Sequence, residues 1–518
     1  MTLPDLSPAA RARYLADASA TAVDVLIIGG GINGACVARD AAMRGLRVAL
    51  VEQDQFASGT SSKSSKLIHG GLRYLEHLEF GLVFESLQER GTLLALAPNL
   101  VRPLEFVFPV YAGDKVGMMK LDAGLWAYDL MSMFRKVKRH HRLSAKKVAS
   151  AVPGLRTEHL KGAMAYDDTA TDDASLTATI VRAAVAAGAL VATQARVETL
   201  VSEDGRVVGA VVLDRVTGEK KAIRARSVVN VAGPWIDAIR KMVVPGASPM
   251  LRPTKGAHLA FPGARLPVDR AVVLATVRDK RIVFVIPWLG YTLLGTTDTD
   301  HEGDPADVKV TGEDVAYLLE TANHFFPDAK LTPADVTGSM AGLRPLLNDP
   351  GASKPSDVSR RYTLVEEPKG LFTLTGGKLT TARRMAADTV DLVVKSAELS
   401  TKQPCRTDVV PLLDDIPLAT LEAELRAVPG VAPDSAAYLA RCYGSDARAV
   451  LEPARRDPAL AERVAPGHPV VRAQVGFGYR HEMLYTADAF LDHYGKGGLS
   501  GVPGARETVE RDLAACRS

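Results

Sequence analysis

Gly29-Gly-Gly31-Ile-Asn-Gly34 spaces its glycines as G-x-G-x-x-G, and the chemistry open to that segment is the holding of a dinucleotide by its pyrophosphate. Gly29 permits a tight turn, Gly31 lets the backbone approach phosphate, and Gly34 lets a helix pack closely on a strand, with Asn33 between them. The helix N-terminus adds free N–H groups and partial positive charge. Glu52 ends the next apolar run, where a carboxylate accepts hydrogen bonds from ribose hydroxyls. A carboxylate there opposes a 2′-phosphate, which argues against NADP, while FAD and NAD both remain compatible with this unit. The competing reading is a glycine-rich turn without ligand, and the register of run, turn and terminal acid weighs against it.

The elements that must position this site are legible nearby. Val23 to Ile28 is a compact apolar run suited to a buried parallel strand. Ala35 to Arg44 reads as a helix of small side chains stopped by Gly45, and Leu46 to Glu52 as the next strand. Together they form one βαβ unit with a right-handed crossover. Further along, a helix begins near Asp172-Asp173, both aspartates placed as caps, and leads into strands around 190–201 with turns at Gly205 and Thr217-Gly218. From Leu251 to Leu347, short β-type runs (Arg281 to Trp288, Tyr291 to Gly295) surround one helix near Asp314 to Phe326, predicting an antiparallel sheet domain. Phe372 to Thr375 resumes a buried strand before Gly376-Gly377 and a helix from about Leu379, and after Pro404 the periodicity is mostly helical.

With 518 residues, the chain is too long for one core, and two or three domains are expected. Its 63 basic and 60 acidic residues nearly cancel, so no field predicts nucleic-acid binding. The four cysteines form no Cys-x-x-Cys pair, indicating neither zinc nor a disulfide framework and fitting a reducing cytosol; Cys36 reads as a small packed residue. Met1 to Ala20 lacks the apolar stretch of a secretory signal and reads as a short amphipathic helix. No run approaches the ~18 apolar residues of a membrane span; the longest apolar strand, Ile282 to Leu289, contains Pro287.

Ser58-Gly-Thr-Ser-Ser-Lys-Ser-Ser-Lys-Leu-Ile-His-Gly-Gly-Leu-Arg-Tyr74 closely resembles the flavin loop of FAD-dependent glycerol-3-phosphate dehydrogenases. Val229-Asn-Val-Ala-Gly-Pro-Trp235 resembles that family's second FAD strand and turn. Gly295-Thr-Thr-Asp298, Gly342-Leu-Arg-Pro345, Ser359-Arg-Arg-Tyr362 and Gly376-Gly-Lys-Leu-Thr-Thr381 continue the match in order. The resemblance covers roughly residues 20–395. It implies a D-amino-acid-oxidase-like α/β flavoprotein: a Rossmann-type FAD-binding domain (20–100, 165–250 and 340–395), an antiparallel-sheet substrate domain (101–164 and 251–339) and a C-terminal helical domain (400–518). It also implies non-covalent FAD and sn-glycerol 3-phosphate as substrate.

The cofactor contacts so implied are Gly29, Gly31, Asn33, Gly34, Glu52, Thr60, Ser61, Ser62, Ser65, Lys66, Leu67, His69, Gly233, Gly377, Lys378, Leu379 and Thr380. A Ser/Thr/Gly loop offers many donors with little bulk, and Gly376-Gly377 at a helix start can turn N–H groups toward the flavin N1/O2 edge. Arg73, Arg344, Arg360 and Lys378 match the positions of a phosphate-binding cation set, Arg344 being catalytic as well. The ordinary reading of each is a solvated charge or a structural ion pair. His69, within the loop and able to titrate near neutrality, is the candidate base for the substrate hydroxyl, with hydrogen bonding to FAD or backbone as its alternative. Tyr74 and Thr296 or Thr297 are candidate ligands of substrate oxygens.

The family implication for the electron acceptor is a quinone, which requires contact with a membrane surface. Trp126, Tyr128, Met131, Met133 and Phe134 precede Arg135-Lys-Val-Lys-Arg-His-His-Arg142, the composition of a monotopic anchor for anionic lipid on the cytoplasmic face; a core helix followed by a charged loop is the alternative. A second copy of the chain is a further candidate partner. The family's Arg-Arg-Thr-type segment is missing at Asp488-Ala-Phe-Leu-Asp-His-Tyr-Gly495, although Phe477-Gly-Tyr-Arg-His-Glu482 still resembles the helical domain. Competing functions are an oxidase using O2, an amine or amino-acid oxidase, and a flavin-binding regulatory or assembly module without turnover.

Overall fold

The computed structural model describes residues 3–75, 78–133, 137–348 and 361–517, the side chain of Arg73 excepted. Arg360 with Ser359, and Phe134, Arg135 and Lys136 of the basic segment, lie outside the described residues.

The apolar run Val23–Ile28 is the central strand of a sheet whose order is Tyr362–Glu366, Leu371–Gly376, Lys220–Asn230, Val23–Ile28, Val48–Val51 and Leu190–Ala192. All neighbours are parallel except the Tyr362–Glu366 edge, which doubles back on Leu371–Gly376. Strands Ala195–Glu203 and Arg206–Asp214 extend Lys220–Asn230 as an antiparallel ribbon. The helix Ile32–Met43 starts earlier than the sequence suggests, because Gly31 serves as N-cap and the chain turns helical at once. Its Ala35, Ala38, Ala41 and Ala42 are buried, and this small-residue surface lets helices Asp173–Ala186 and Ala382–Ser396 pack against it. Gly45 ends it at φ +86°, a left-handed turn that suits glycine.

The second sheet runs Thr299–Asp300, Leu251–Pro262, Tyr291–Gly295, Ile282–Trp288, Ala271–Ala275, Val101–Tyr111, Leu160–Thr171 and Leu67–Ile68, with Gly338–Leu347 also on Leu251–Pro262 and His141–Ser144 on Leu160–Thr171. It is antiparallel except where Ala271–Ala275 lies parallel to Val101–Tyr111. The expected domain borders 164/165 and 339/340 fall inside strands Leu160–Thr171 and Gly338–Leu347, whose ladders continue unbroken across those points. Leu67–Ile68 pairs with Ala170 and Thr169, so the Ser58–Tyr74 segment crosses from the first sheet to the edge of the second.

Helices Leu418–Arg426, Pro433–Tyr443, Ala473–His481, Ala487–Tyr494 and Ala505–Arg517 gather around Leu421, Leu439, Tyr443, Val475 and Phe490, a core separate from those of the sheets. A buried ion cluster joins this unit to the first: Arg182 contacts Asp446 and Glu482, each at 2.9 Å.

Helix Met118–Ser132 corrects part of the anchor expectation. The Tyr128 ring is 1% exposed, because its hydroxyl turns inward to Asp168 (2.6 Å) and accepts the Gly70 N–H (2.9 Å). His140 is also buried, against Asp129. Trp126, Leu130 and Met133 are exposed, with the Arg139 guanidinium 4.5 Å from the Trp126 ring centre. No helix among the described residues is long and apolar enough to cross a membrane.

Candidate active site

At the dinucleotide end, backbone geometry does the selecting. Gly29 has φ +113°, and a Cβ there would lie 2.7 Å from the Val231 oxygen; a Cβ on Gly34 would lie 1.8 Å from the Gly29 oxygen. Ser61 Oγ accepts the Ile32 N–H at 2.9 Å, at the start of the helix and 3.0 Å from where a Gly31 Cβ would stand. Asn33 is half-buried in the first turn. Glu52 accepts N–H bonds from Gly30 (2.6 Å) and Asp54 (2.9 Å). Burial pushes its carboxyl pKa up to about 7, the two backbone donors opposing the rise. A cradle closed to side chains, a helix N-terminus and a terminal acid fit a dinucleotide pyrophosphate and ribose. Gly233 (φ +55°) opens the turn after Lys220–Asn230. Beside it, Trp235, Gln53, Ser58, Gly59, Thr60 and Arg196 line a cleft of about 340 Å³.

The Ser58–Tyr74 loop is fastened along its length. Thr60 donates to the Leu343 carbonyl (2.6 Å), tying the loop to the strand that bears Arg344. Ser65 Oγ meets His258 Nε2 at 2.9 Å. Lys66 is 0% exposed: its ammonium pairs with Asp173 and the Ser62 carbonyl, 5.3 Å from the Trp288 ring centre, and its backbone is left-handed at φ +60°. Such a conformation costs a β-carbon-bearing residue about 1 kcal/mol or more, so its surroundings must hold it. The Lys66 ammonium is thus directed to Asp173. Asp172 caps its helix as expected, accepting the Ser175 N–H, whereas Asp173 turns chiefly to the loop.

His69 and Thr380 meet through backbone: the Thr380 hydroxyl accepts the His69 N–H (3.1 Å) and lies 3.2 Å from the His69 carbonyl. Desolvation by burial pulls the His69 pKa down to about 4, Lys378 and Arg90 adding to the fall and Asp168 opposing it. The imidazole is thus neutral at physiological pH rather than titrating near it. Gly376 (φ +80°) and Gly377 (φ +73°) turn the chain so that Lys378 precedes Leu379–Thr381 and helix Ala382–Ser396. Lys378 Nζ lies 3.9 Å from the Tyr74 ring centre and 3.2 Å from Ser86 Oγ. His69, Tyr74, Lys378 and Thr380 therefore share one neighbourhood, floored by helix Phe80–Leu96.

Arg344 belongs to a second neighbourhood on the antiparallel sheet. Its fork donates to Asp298 Oδ1 (3.1 Å), Thr296 Oγ1 (2.8 Å) and the Thr297 carbonyl (3.0 Å). Thr297 is turned away, its hydroxyl bonding Asp314. His258, which the sequence reading passed over, joins this group: burial holds its pKa down to about 3, Arg344 and Lys66 reinforcing the effect, and its Nδ1 has no protein partner among the described residues. A lone histidine in a strand gives no spacing signal, so only the fold reveals it. The loop joins the two neighbourhoods, Ser65 reaching His258 and His69 reaching Thr380.

Residues 24–392 match the family described as FAD dependent oxidoreductase, and residues 405–493 match the C-terminal domain of alpha-glycerophosphate oxidase. The aerobic glycerol-3-phosphate dehydrogenase of Bacillus subtilis is 36% identical over 94% of this chain and 89% of its own. The mitochondrial glycerol-3-phosphate dehydrogenase SDP6 of Arabidopsis thaliana is 36% identical over 90% of this chain and 78% of its own. The solved glycerol-3-phosphate dehydrogenase of Bacillus halodurans, complexed with FAD, superposes with a TM-score of 0.80 at 32% identity, covering 98% of this chain and 93% of the other. The glycine oxidase of Geobacillus kaustophilus shares the fold alone, with a TM-score of 0.55 at 22% identity, covering 76% of this chain and 99% of the other. The chain belongs to the FAD-dependent glycerol-3-phosphate dehydrogenase family.

Proposed function

We propose that this protein oxidises sn-glycerol 3-phosphate at C2 to dihydroxyacetone phosphate and passes the electrons to a quinone at a membrane surface. The observation that carries the substrate reading is the meeting of Lys378, Tyr74 and His69 from two distant segments beside the glycine turn. Bound FAD supplies the hydride acceptor. Lys378 is held over the Tyr74 ring and beside the Ser86 hydroxyl, where its ammonium can bind a phosphate oxygen. Arg344, fixed by Asp298 and Thr296, offers a second cation from the other wall, and Arg73 and Arg360 complete the proposed set. The neutral imidazole of His69 takes the C2 hydroxyl proton. Glu52 and the Gly29–Gly34 cradle bind the adenosine and pyrophosphate, and the Gly376–Gly377 turn faces the flavin.

The acceptor reading is supported by apolar side chains on the outer surface of the helices that floor the site. Phe80 and Phe84 on Phe80–Leu96, and Met119 (88% exposed), Trp126, Leu130 and Met133 at Met118–Ser132, stand in solvent. Exposed Lys138, Arg139 and Arg142 follow. This pairing of apolar and basic surface suits peripheral docking on anionic lipid. The test is steady-state oxidation of glycerol 3-phosphate with a soluble quinone analogue: dihydroxyacetone phosphate should form with little hydrogen peroxide. Peroxide formed one for one with product, undiminished by quinone, would instead identify an oxidase.

A further inference from the structure

Asp173 stands at the first turn of helix Asp173–Ala186 and grips three groups of one short loop. Its Oδ2 accepts the Ser64 hydroxyl (2.6 Å) and the Ser64 N–H (3.1 Å). Its Oδ1 pairs with the Lys66 ammonium and also accepts the Ala174 N–H (2.9 Å). The Lys66 carbonyl in turn accepts the Thr171 N–H at 2.9 Å. Both Lys66 and Asp173 are 0% exposed. A fully buried ion pair contributes little net stability, because lost hydration offsets the attraction; its effect is to forbid other arrangements of the chain that bears it. That restraint is needed here, since Lys66 occupies a left-handed conformation and the flanking Ser65 must reach His258 from the same turn. The helix bearing Asp173 is itself braced from the C-terminal unit, where Glu482 and Asp446 hold Arg182.

We propose that Asp173 is a positioning residue for the cofactor: it touches no ligand, and it sets the shape of the 61–69 loop against which the flavin binds, with the C-terminal unit steadying it through Arg182. This rests on the assignment of that loop to FAD, which a separate variant tests. In the full-length protein, stripped of flavin and titrated with FAD, Asp173→Asn should weaken FAD binding at least tenfold and blur the vibrational shoulders of the bound flavin's visible spectrum. Lys66→Met/Asp173→Leu replaces the pair with apolar side chains of similar size. It should regain the thermal stability of the parent apoprotein within a few degrees, yet bind FAD at least tenfold more weakly than the parent. Ser64→Ala, which removes one grip and threatens folding least, should weaken FAD two- to fivefold. Unchanged FAD affinity in Asp173→Asn, or recovery of affinity together with stability in the apolar pair, overturns the proposal; should Asp173→Asn not fold, the other two variants decide. Ser61→Val places bulk at the helix start where phosphate is read to bind. If it leaves FAD affinity unchanged, the loop assignment itself fails; if it weakens FAD while the Asp173 variants do not, the positioning role alone fails.

Discussion

The two ends of the proposed site are built by opposite means. At the dinucleotide end, selectivity comes from main chain: glycines whose Cβ would strike carbonyl oxygens, a helix start, and one acid at a strand end. At the proposed substrate end the groups are side chains of remote segments, Lys378 over Tyr74 on one wall and Arg344 with Thr296 and His258 on the other. The first arrangement is local in sequence and intolerant of any added atom. The second is distributed over segments far apart in the sequence. A site made this way can keep its cofactor while its substrate preference changes.

The sharpest way to break that contrast is at Gly34. Gly34→Ala forces a Cβ to within 1.8 Å of the Gly29 oxygen, so the purified protein should be colourless and should not recover a visible flavin band with excess FAD. A yellow Gly34→Ala protein would mean the cradle is not the cofactor seat. On the substrate side, His69→Asn should retain full FAD yet reduce it roughly 100-fold more slowly with glycerol 3-phosphate, the scale of a lost general base. Because burial holds the His69 pKa at about 4, the parent's reduction rate should be flat from neutrality downward and fall only as the pH approaches that value. Near-normal turnover in His69→Asn removes it from the base role.

These two neighbourhoods also differ in how far sequence discloses them. Glycine spacing and Glu52 located the cradle because the constraint is carried by consecutive backbone, and Val23–Ile28 was readable as a strand to the residue. The Ser58–Tyr74 loop resembles the family's flavin loop, but the resemblance does not disclose the fate of its charges: Lys66 is consumed by Asp173, and Tyr128, which reads as an anchor aromatic, supports Gly70 from inside. Such pairings depend on elements more than 50 residues apart, Lys66 and Asp173 being separated by 107. His258 and Asp168 carry no local pattern at all. Strands Leu160–Thr171 and Gly338–Leu347 run through the borders that the resemblance implies, a continuity that no local break in the sequence marks.

A smaller effect distinguishes the two ends by pH. The Glu52 carboxyl in the apoprotein is raised from 4.5 to about 7, so the folded state holds a proton that the unfolded state releases between those values. Glu52 therefore reduces stability progressively as pH rises through that window. Glu52→Gln apoprotein should be the more stable by roughly 2–3 kcal/mol above pH 7, with the advantage vanishing toward pH 4, as read from thermal unfolding at several pH values. An advantage that does not vary with pH would assign the effect to packing. Smallest of all, Trp126→Ser/Leu130→Ser and, separately, neutralisation of Lys138, Arg139 and Arg142 should each weaken sedimentation with anionic vesicles about tenfold while leaving anaerobic flavin reduction unchanged. Slower flavin reduction in these variants would place the outer surface within the catalytic site.

The most direct measurement is anaerobic stopped-flow reduction of the bound flavin, comparing glycerol 3-phosphate with glycerol in the parent protein and in Arg344→Ala. Rapid bleaching by one equivalent of glycerol 3-phosphate is expected, with glycerol orders of magnitude slower. Arg344→Ala should lose about 100-fold with the phosphate ester, the scale of ~3 kcal/mol for a charged hydrogen-bonded contact, and little with glycerol. Flavin that stays oxidised with glycerol 3-phosphate, or equal losses for both alcohols, would contradict the account.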